Sequence, residues 1–384
     1  MMSNIIVPFG KPFIDNSELN SIKKVLNSGK YVHGKETENF EKIFKRFTRS
    51  KNATTVSSCT AGMHLFYLAL GISKGDEVLV PAQTHVATSH AVEIVGAKPI
   101  FVDCELGTGN IDVNEIEKKI TARTKAIVIV HFLGIPVKMQ KILKIAKKNK
   151  LKVLEDCALA LGAKIGDKHV GTFGDAGVFS FYPVKHITTA EGGMIVSNNK
   201  KLDNIIRSKK AFGVDKNYNQ RNSPGKYDVK ELGINYRMSE IHASMGVVQM
   251  KKLREILKKR KYNFDYLSKN LAKIKEIQIL KNTEKKNHSS NYCLSFILNK
   301  KLASKRSKLI NLLNGAGVGT SIYYPKPVPL MRYYKNKYNY KKNFFKNAFI
   351  ISENSIAIPT GPHVKKRDLK FIVNEIFKSI NALK

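Results

Sequence analysis

Between Thr54 and Ser197 the chain alternates short apolar, β-rich runs with helical stretches, and this rhythm restricts its fold more than any other feature. The strand-like runs are Thr54–Ser57, Glu77–Pro81, Pro99–Asp103, Ala126–Phe132, Lys152–Asp156, Val178–Tyr182 and Met194–Ser197. Helical patterns lie between most of the first five, at Ala61–Leu70, Val86–Val95, Asn114–Ile120 and Met139–Asn149. Parallel strands need long crossovers, usually helices, so the alternation predicts an α/β fold with a mostly parallel sheet sandwiched by helices. Ligands in such sheets bind at the carboxyl ends of the strands.

Ahead of this region, Asp15-Asn16-Ser17 precede Leu19, Ile22, Val25 and Leu26 on one face, and Ser28-Gly29 follow. That is the signature of a capped amphipathic helix. From about Met238 the pattern changes. A Lys-rich helical stretch reaches Leu271, followed by a polar loop, a strand at Tyr292–Leu298, a helix at Ser304–Asn314 and a last helix from Lys366. A chain of 384 residues is too long for one ordinary core. A large domain over residues 1–250 and a smaller α+β domain over 251–384 are expected, divided inside the long helix.

Composition removes several classes. No apolar run approaches the roughly 20 residues a bilayer demands, and Ala126–Val137 is interrupted by His131, Gly134 and Pro136. The opening MMSNIIVPFG lacks a charged n-region and a long apolar h-region. A cytoplasmic protein without membrane insertion is the expectation. Cys59, Cys104, Cys157 and Cys293 are scattered and form no C-x-x-C pair, so neither a metal site nor a disulfide framework is expected. Lys and Arg number 67 against 30 Asp and Glu, a net charge of +37. A nucleic-acid-binding regulator is one reading of that excess. The basic residues are spread along the whole chain with no nucleic-acid motif, so a lysine-rich solvated surface is the preferred reading and no nucleic-acid partner is expected.

Three segments near strand ends carry candidate chemistry. Leu154-Glu155-Asp156-Cys157-Ala158 ends an apolar strand in two carboxylates. Asp156 has what is needed to keep a pyridine nitrogen protonated, although a strand-end acid capping the next turn has the same sequence. Phe179 to Gly193 delivers Ser180 and then Lys185 into a turn closed by Gly192-Gly193. A partly desolvated lysine has a lowered pKa and attacks carbonyls, whereas most lysines of so basic a chain are solvated. Ser57-Ser58-Cys59-Thr60-Ala61-Gly62 opens a helix with small residues, which suits a phosphate on the backbone N–H groups or simply an N-cap.

In order and spacing these segments resemble the DegT/StrS-type nucleotide-sugar aminotransferases, which are fold type I pyridoxal-phosphate (PLP) enzymes. The resemblance extends over nearly the whole chain, through Pro8, Ser28-Gly29, Gly75-Asp76-Glu77-Val78, Ala87-Thr88, Arg123-Thr124-Lys125, Val130-His131, Asn235-Tyr236-Arg237-Met238 and Ile358-Pro359. It implies that Lys185 is catalytic, holding the cofactor as a Schiff base and then moving the substrate proton. It implies that Asp156 pairs with the pyridine nitrogen and that Thr60, Ala61 and Ser180 hold the phosphate. His85 stands where the family places an aromatic ring over the cofactor. Asn235 would reach the phosphate of the neighbouring subunit, in a homodimer whose active sites are shared.

The implied reaction moves an amino group from an amino acid, glutamate by expectation, to a keto sugar carried on a nucleoside diphosphate. A 4-keto-6-deoxyhexose would make the chain perosamine-synthase-like, with a place in lipopolysaccharide or other surface polysaccharide synthesis. A free cyclitol ketone and a sugar dehydration are alternatives within the family. The dehydratase branch has His in place of the Schiff-base lysine, but here the lysine falls in the catalytic register and His186 is only the next residue. Other departures are Cys59 for a usual Gly, Leu159 where Gln or His often bonds the cofactor's phenolic oxygen, and Tyr323 for a frequent His.

Overall fold

A computed structural model describes residues 6–216, 223, 225–282 and 284–384. The first helix forms as its caps demand. α1 (Asn16–Ser28) starts at Asp15, whose carboxylate accepts from Ser17 N while Glu18 accepts from Asp15 N, and it stops at Gly29 with φ 64°. α2 (Lys35–Thr48), which the sequence reading did not resolve, buries Phe40 and Phe44.

The expected sheet then appears. Its strands are β1 (Asn52–Val56), β2 (Glu77–Pro81), β3 (Lys98–Val102), β4 (Thr124–Val130) and β5 (Lys152–Asp156). After two short strands, β6 (Lys164–Ile165) and β7 (Lys168–His169), it is completed by β8 (Ala176–Ser180) and β9 (Gly193–Ser197). The order is β1-β9-β8-β5-β4-β2-β3. The pairs β2–β3, β2–β4, β4–β5 and β5–β8 are parallel, while β9 is antiparallel to both its neighbours. The reversal at β9 follows from its connection. Residues 181–192 fold as a turn without a helix, so no crossover is made.

Helices α3 (Cys59–Ala69), α4 (Val86–Ile94), α5 (Val113–Ile116), α6 (Met139–Lys148) and α7 (Lys200–Lys209) accompany the strands. Alternate residues of one strand serve opposite faces. Val78 and Val80 of β2 join a core with Ala91 and Val92 of α4, while Leu79 joins another with Ile116 and Ile142. Burial on both faces is why the central strands read as unbroken apolar runs.

α8 (Glu240–Leu271) is 32 residues long. Its early part packs on α1 and α2, and its last turns bring Leu267 and Leu271 into a separate core. That core contains the antiparallel sheet of β10 (Ile277–Ile279), β12 (Cys293–Leu298) and β13 (Ser355–Pro359), covered by α9 (Arg306–Gly315) and α12 (Lys366–Asn381). The short β11 (Asn287–His288) pairs with β6, and α10 (Arg332–Tyr338) and α11 (Lys346–Asn354) complete the chain. Val7 also joins the C-terminal core, its N–H donating to the Gly317 carbonyl. No helix among the described residues is long and apolar enough to cross a membrane.

Candidate active site

Lys185 lies in the turn after β8, its N–H donating to the Tyr182 carbonyl at 2.9 Å. The side chain is half-buried, and its Nζ stands 5.6 Å from the centre of the Tyr292 ring. Desolvation is the largest influence on the amine and holds its pKa below the ordinary 10.5, against the opposing pull of Cys59 and Asp156. A larger neutral fraction makes this lysine a better nucleophile than its solvated counterparts.

Asp156 ends β5, next to β8 in the sheet, so the carboxylate and the amine emerge from neighbouring parallel strands at their carboxyl ends. Asp156 is buried. Its Oδ2 accepts from Thr88 Oγ at 2.9 Å and its Oδ1 from Ala158 N at 3.0 Å. Two accepted bonds leave lone pairs for a further donor. Glu155 points to the other face of the strand. It is fully buried and accepts from the N–H groups of Gly171, Phe173 and Gly174, each at 2.7 Å, and from His131 Nε2 at 3.0 Å. The two adjacent carboxylates are thus separated by strand alternation. Glu155 staples a loop and Asp156 faces the candidate site.

The small-residue segment meets the same point. Ser58 caps α3, its Oγ accepting from Ala61 N at 3.1 Å, and Thr60 and Ala61 lie in the first turn. Ser180 at the end of β8 pairs in register with Gly193 of β9. A Cβ on Gly193 would lie 2.6 Å from Cys59 N and 2.7 Å from Ser58 O, so only glycine lets β9 approach this helix start so closely. Backbone N–H groups at a helix start, beside a serine hydroxyl, make an anion cradle. Cys59 is buried in it, its thiol pushed well up in pKa by burial and then by the charge of Asp156.

His85 caps α4, its Nδ1 accepting from Ala87 N at 3.2 Å. The ring is 5.5 Å from that of Tyr324 in an edge-on arrangement. Burial and then the charge of Lys185 lower its pKa, which favours the neutral ring. Asn235 behaves differently from the other sequence candidates. It is exposed, its backbone is bridged to Ala211, and no described contact brings it to Lys185. Leu159 is buried, and its carbonyl accepts from Ser290 Oγ. His186 is buried away from solvent, donating from Nε2 to the Ser290 carbonyl at 3.1 Å, and burial drives its pKa well below 6.5.

Sequence reasoning missed Tyr292, Tyr324 and Thr88 as site residues. Tyr292 enters β12 from the C-terminal unit, and nothing local marks it as a neighbour of Lys185. Thr88 carried a usable signal, since it stands three residues after His85 on the helix that His85 opens.

The donor set suits PLP. It offers a desolvated amine for an aldehyde, a buried carboxylate with free lone pairs for a pyridine nitrogen, and an amide-lined cradle that a side chain at 193 would fill.

Comparison with known proteins bears on the same point. The model of the DegT/DnrJ/EryC1/StrS aminotransferase family matches residues 12–377. The GDP-perosamine synthase of Escherichia coli O157:H7 is 37% identical over 341 residues, covering 86% of this chain and 88% of that protein. The spore coat polysaccharide biosynthesis protein SpsC of Bacillus subtilis is 31% identical over 377 residues, 97% of each chain. Among solved structures, Helicobacter pylori PseC, an aminotransferase of pseudoaminic acid biosynthesis, superposes with a TM-score of 0.92 at 27% identity, covering 98% of this chain and 99% of that one. The PLP form of the Streptococcus pneumoniae sugar aminotransferase Spr1654 gives 0.92 at 26% identity, again over 98% and 99%.

Proposed function

The chain belongs to the DegT/DnrJ/EryC1/StrS aminotransferase family and is a PLP-dependent sugar aminotransferase, and on that premise we propose that it transfers the amino group of glutamate to a nucleotide-linked 4-keto-6-deoxyhexose. The product would be a nucleotide-linked amino sugar of the perosamine type, made for surface polysaccharide. The observation that carries this reading is the convergence of the Lys185 amine and the Asp156 carboxylate at the ends of adjacent strands, above a helix start free of bulky side chains. The similarity to a GDP-perosamine synthase supports the choice of sugar. Retention of lysine at 185 disfavours dehydration, and the basic surface favours capture of an anionic diphosphate over a free cyclitol.

Bound PLP supplies an electron sink for the carbanion that transamination creates. The protein does the rest. Lys185 would hold the cofactor through its amine, and its Nζ would serve to carry a proton at the reacting carbon. Asp156 would fix the ring by its nitrogen. Thr60, Ala61 and Ser180 would take the phosphate at the start of α3, and His85 would cover the ring. Tyr292, Tyr323 and Tyr324 wall the side where a sugar would enter. Asn235, exposed in one chain, completes the phosphate site of a second copy in a homodimer. We also read residues 1–250 as the cofactor-binding domain and 251–384 as the smaller domain, with α8 shared between them.

The test is direct. The enzyme is loaded with glutamate, freed of it, and offered a panel of GDP-, UDP- and dTDP-linked 4-keto sugars and a cyclitol ketone. A nucleotide amino sugar identified by mass supports the proposal. Exclusive amination of the cyclitol, or loss of a hydroxyl without nitrogen gain, refutes it.

A further inference from the structure

The start of α4 does more than present His85. Thr84 lies just before the cap of α4 and Thr88 in its first turn, and both are buried. Thr84 Oγ and Thr88 Oγ are 2.8 Å apart, and Thr88 Oγ is 2.9 Å from Asp156 Oδ2. A hydroxyl has one proton. Thr88 donates to Asp156, so its one proton is committed there, and Thr84 must donate to Thr88. The chain of donors therefore has one direction, from Thr84 through Thr88 to the carboxylate.

The other carboxylate oxygen is fixed by Ala158 N, which belongs to the segment after β5. Asp156 is thus gripped from two elements, one bond per oxygen, and its rotation about the last side-chain bond is prevented. The buried setting strengthens both bonds. The same turn is tied to the substrate-facing tyrosines. Gln83 Nε2 donates to the Tyr323 carbonyl at 2.8 Å, so residues 83–88 connect that loop to Asp156.

We propose that Thr88 is the positioning residue for Asp156: its hydroxyl, itself aligned by Thr84, fixes the orientation of the carboxylate so that one lone pair is directed at the cofactor ring nitrogen. This rests on the reading of Asp156 as the partner of that nitrogen. Thr88 touches neither substrate nor cofactor and acts only through Asp156.

The experiment compares Thr88→Val, Thr88→Ser, Thr84→Val and Asp156→Ala with the unaltered enzyme. The dissociation constant of PLP is measured by titration of stripped protein, and ring-nitrogen protonation by the 15N shift of labelled PLP. Unfolding temperatures of the stripped proteins are measured in parallel. Thr88→Val is expected to weaken PLP binding about 10- to 100-fold, the range for a hydrogen bond to a charged group. Its 15N signal moves toward the unprotonated ring, while the unfolding temperature of the stripped protein stays near that of the unaltered one. Thr88→Ser restores both readouts, and Thr84→Val gives a smaller change of the same sign. An unaltered affinity and 15N shift in Thr88→Val overturns the proposal, as does a larger effect from Thr84→Val. If Thr88→Val fails to fold, Thr88→Ser and Thr84→Val still decide through the 15N shift. Normal PLP binding by Asp156→Ala defeats the underlying reading instead, and a defect in Asp156→Ala with none in Thr88→Val defeats the relay alone.

Discussion

The hydroxyls of Tyr292 and Tyr323 lie 2.9 Å apart, joining the start of β12 to the loop after α9 beside the amine of Lys185. Burial raises the Tyr292 phenol to about 12, so both groups are protonated at neutral pH. One proton is used between the two oxygens, and the other is free to donate to a sugar hydroxyl. Tyr292→Phe and Tyr323→Phe should each raise the KM for the keto sugar severalfold. In the double variant the two effects should fall short of additive by about 1 kcal/mol, as expected for one shared hydrogen bond. Strict additivity in kcat/KM would show that the pair does not act together on the substrate.

Lys185 is expected to be the site of covalent cofactor attachment. Borohydride reduction of the loaded protein should tag the peptide carrying Lys185, and Lys185→Ala should lose both the tag and glutamate-dependent amination. In the stripped protein, trace acylation at increasing pH should reach half its maximum at Lys185 below the 10.5 of solvated lysines, because desolvation favours the neutral amine. A tag on another lysine would redirect the whole assignment.

Gly193 should tolerate no side chain. The Cβ of Gly193→Ala would meet backbone atoms of Ser58 and Cys59 at 2.6 Å, and backbone cannot swing aside as a side chain does. The expected cost is about 1–3 kcal/mol, taken mainly as displacement of the α3 start. PLP affinity should drop roughly tenfold or more, by the same energy scale. Equal affinity measured by absorbance titration would show that this cradle does not hold the phosphate.

Shared sites predict complementation. Asn235→Ala and Lys185→Ala are each expected to be impaired alone. Mixed after unfolding and refolding together, they should form some dimers in which one site has both an intact Lys185 and an intact Asn235 from the opposite chain. Activity regained in the mixture supports the shared site. Activity that never exceeds the sum of the separate variants means that each chain builds its site alone.

His169 sets a limit on acid stability. It is buried, accepts at Nε2 from Gly162 N at 2.9 Å and donates from Nδ1 to the Val170 carbonyl, so the fold holds it neutral. Burial lowers its pKa to about 4 from the ordinary 6.5. The folded value lies below the unfolded one, so the contribution is intact above pH 6.5 and is lost as pH falls toward 4. The integrated loss is about 3 kcal/mol. Denaturant unfolding at stepped pH should show this slope, and His169→Gln should flatten it. A slope unchanged in the variant would assign the acid sensitivity to other groups.

Much of the architecture is legible from local pattern. The caps of α1 and the limits of β2 and β5 appear where the sequence puts them, because capping and burial periodicity are properties of neighbouring residues. α2 was not read, since its apolar stripe of Phe40 and Phe44 is interleaved with charge and borders a glycine-rich entry. The antiparallel course of β9 was also not read. A strand carries no mark of direction, and the intervening turn had to be seen to lack a helix.

Fold class, family and the pair Lys185 and Asp156 are legible in residue type, order and spacing, because a motif preserves these. Tertiary packing alone reveals that Glu155 is spent on the loop at Gly174, that the Lys185 amine stands over the Tyr292 ring, and that Thr88 grips Asp156 from 68 positions away. Such contacts arise when sheet order and helix placement bring distant segments together, and no local periodicity encodes that distance.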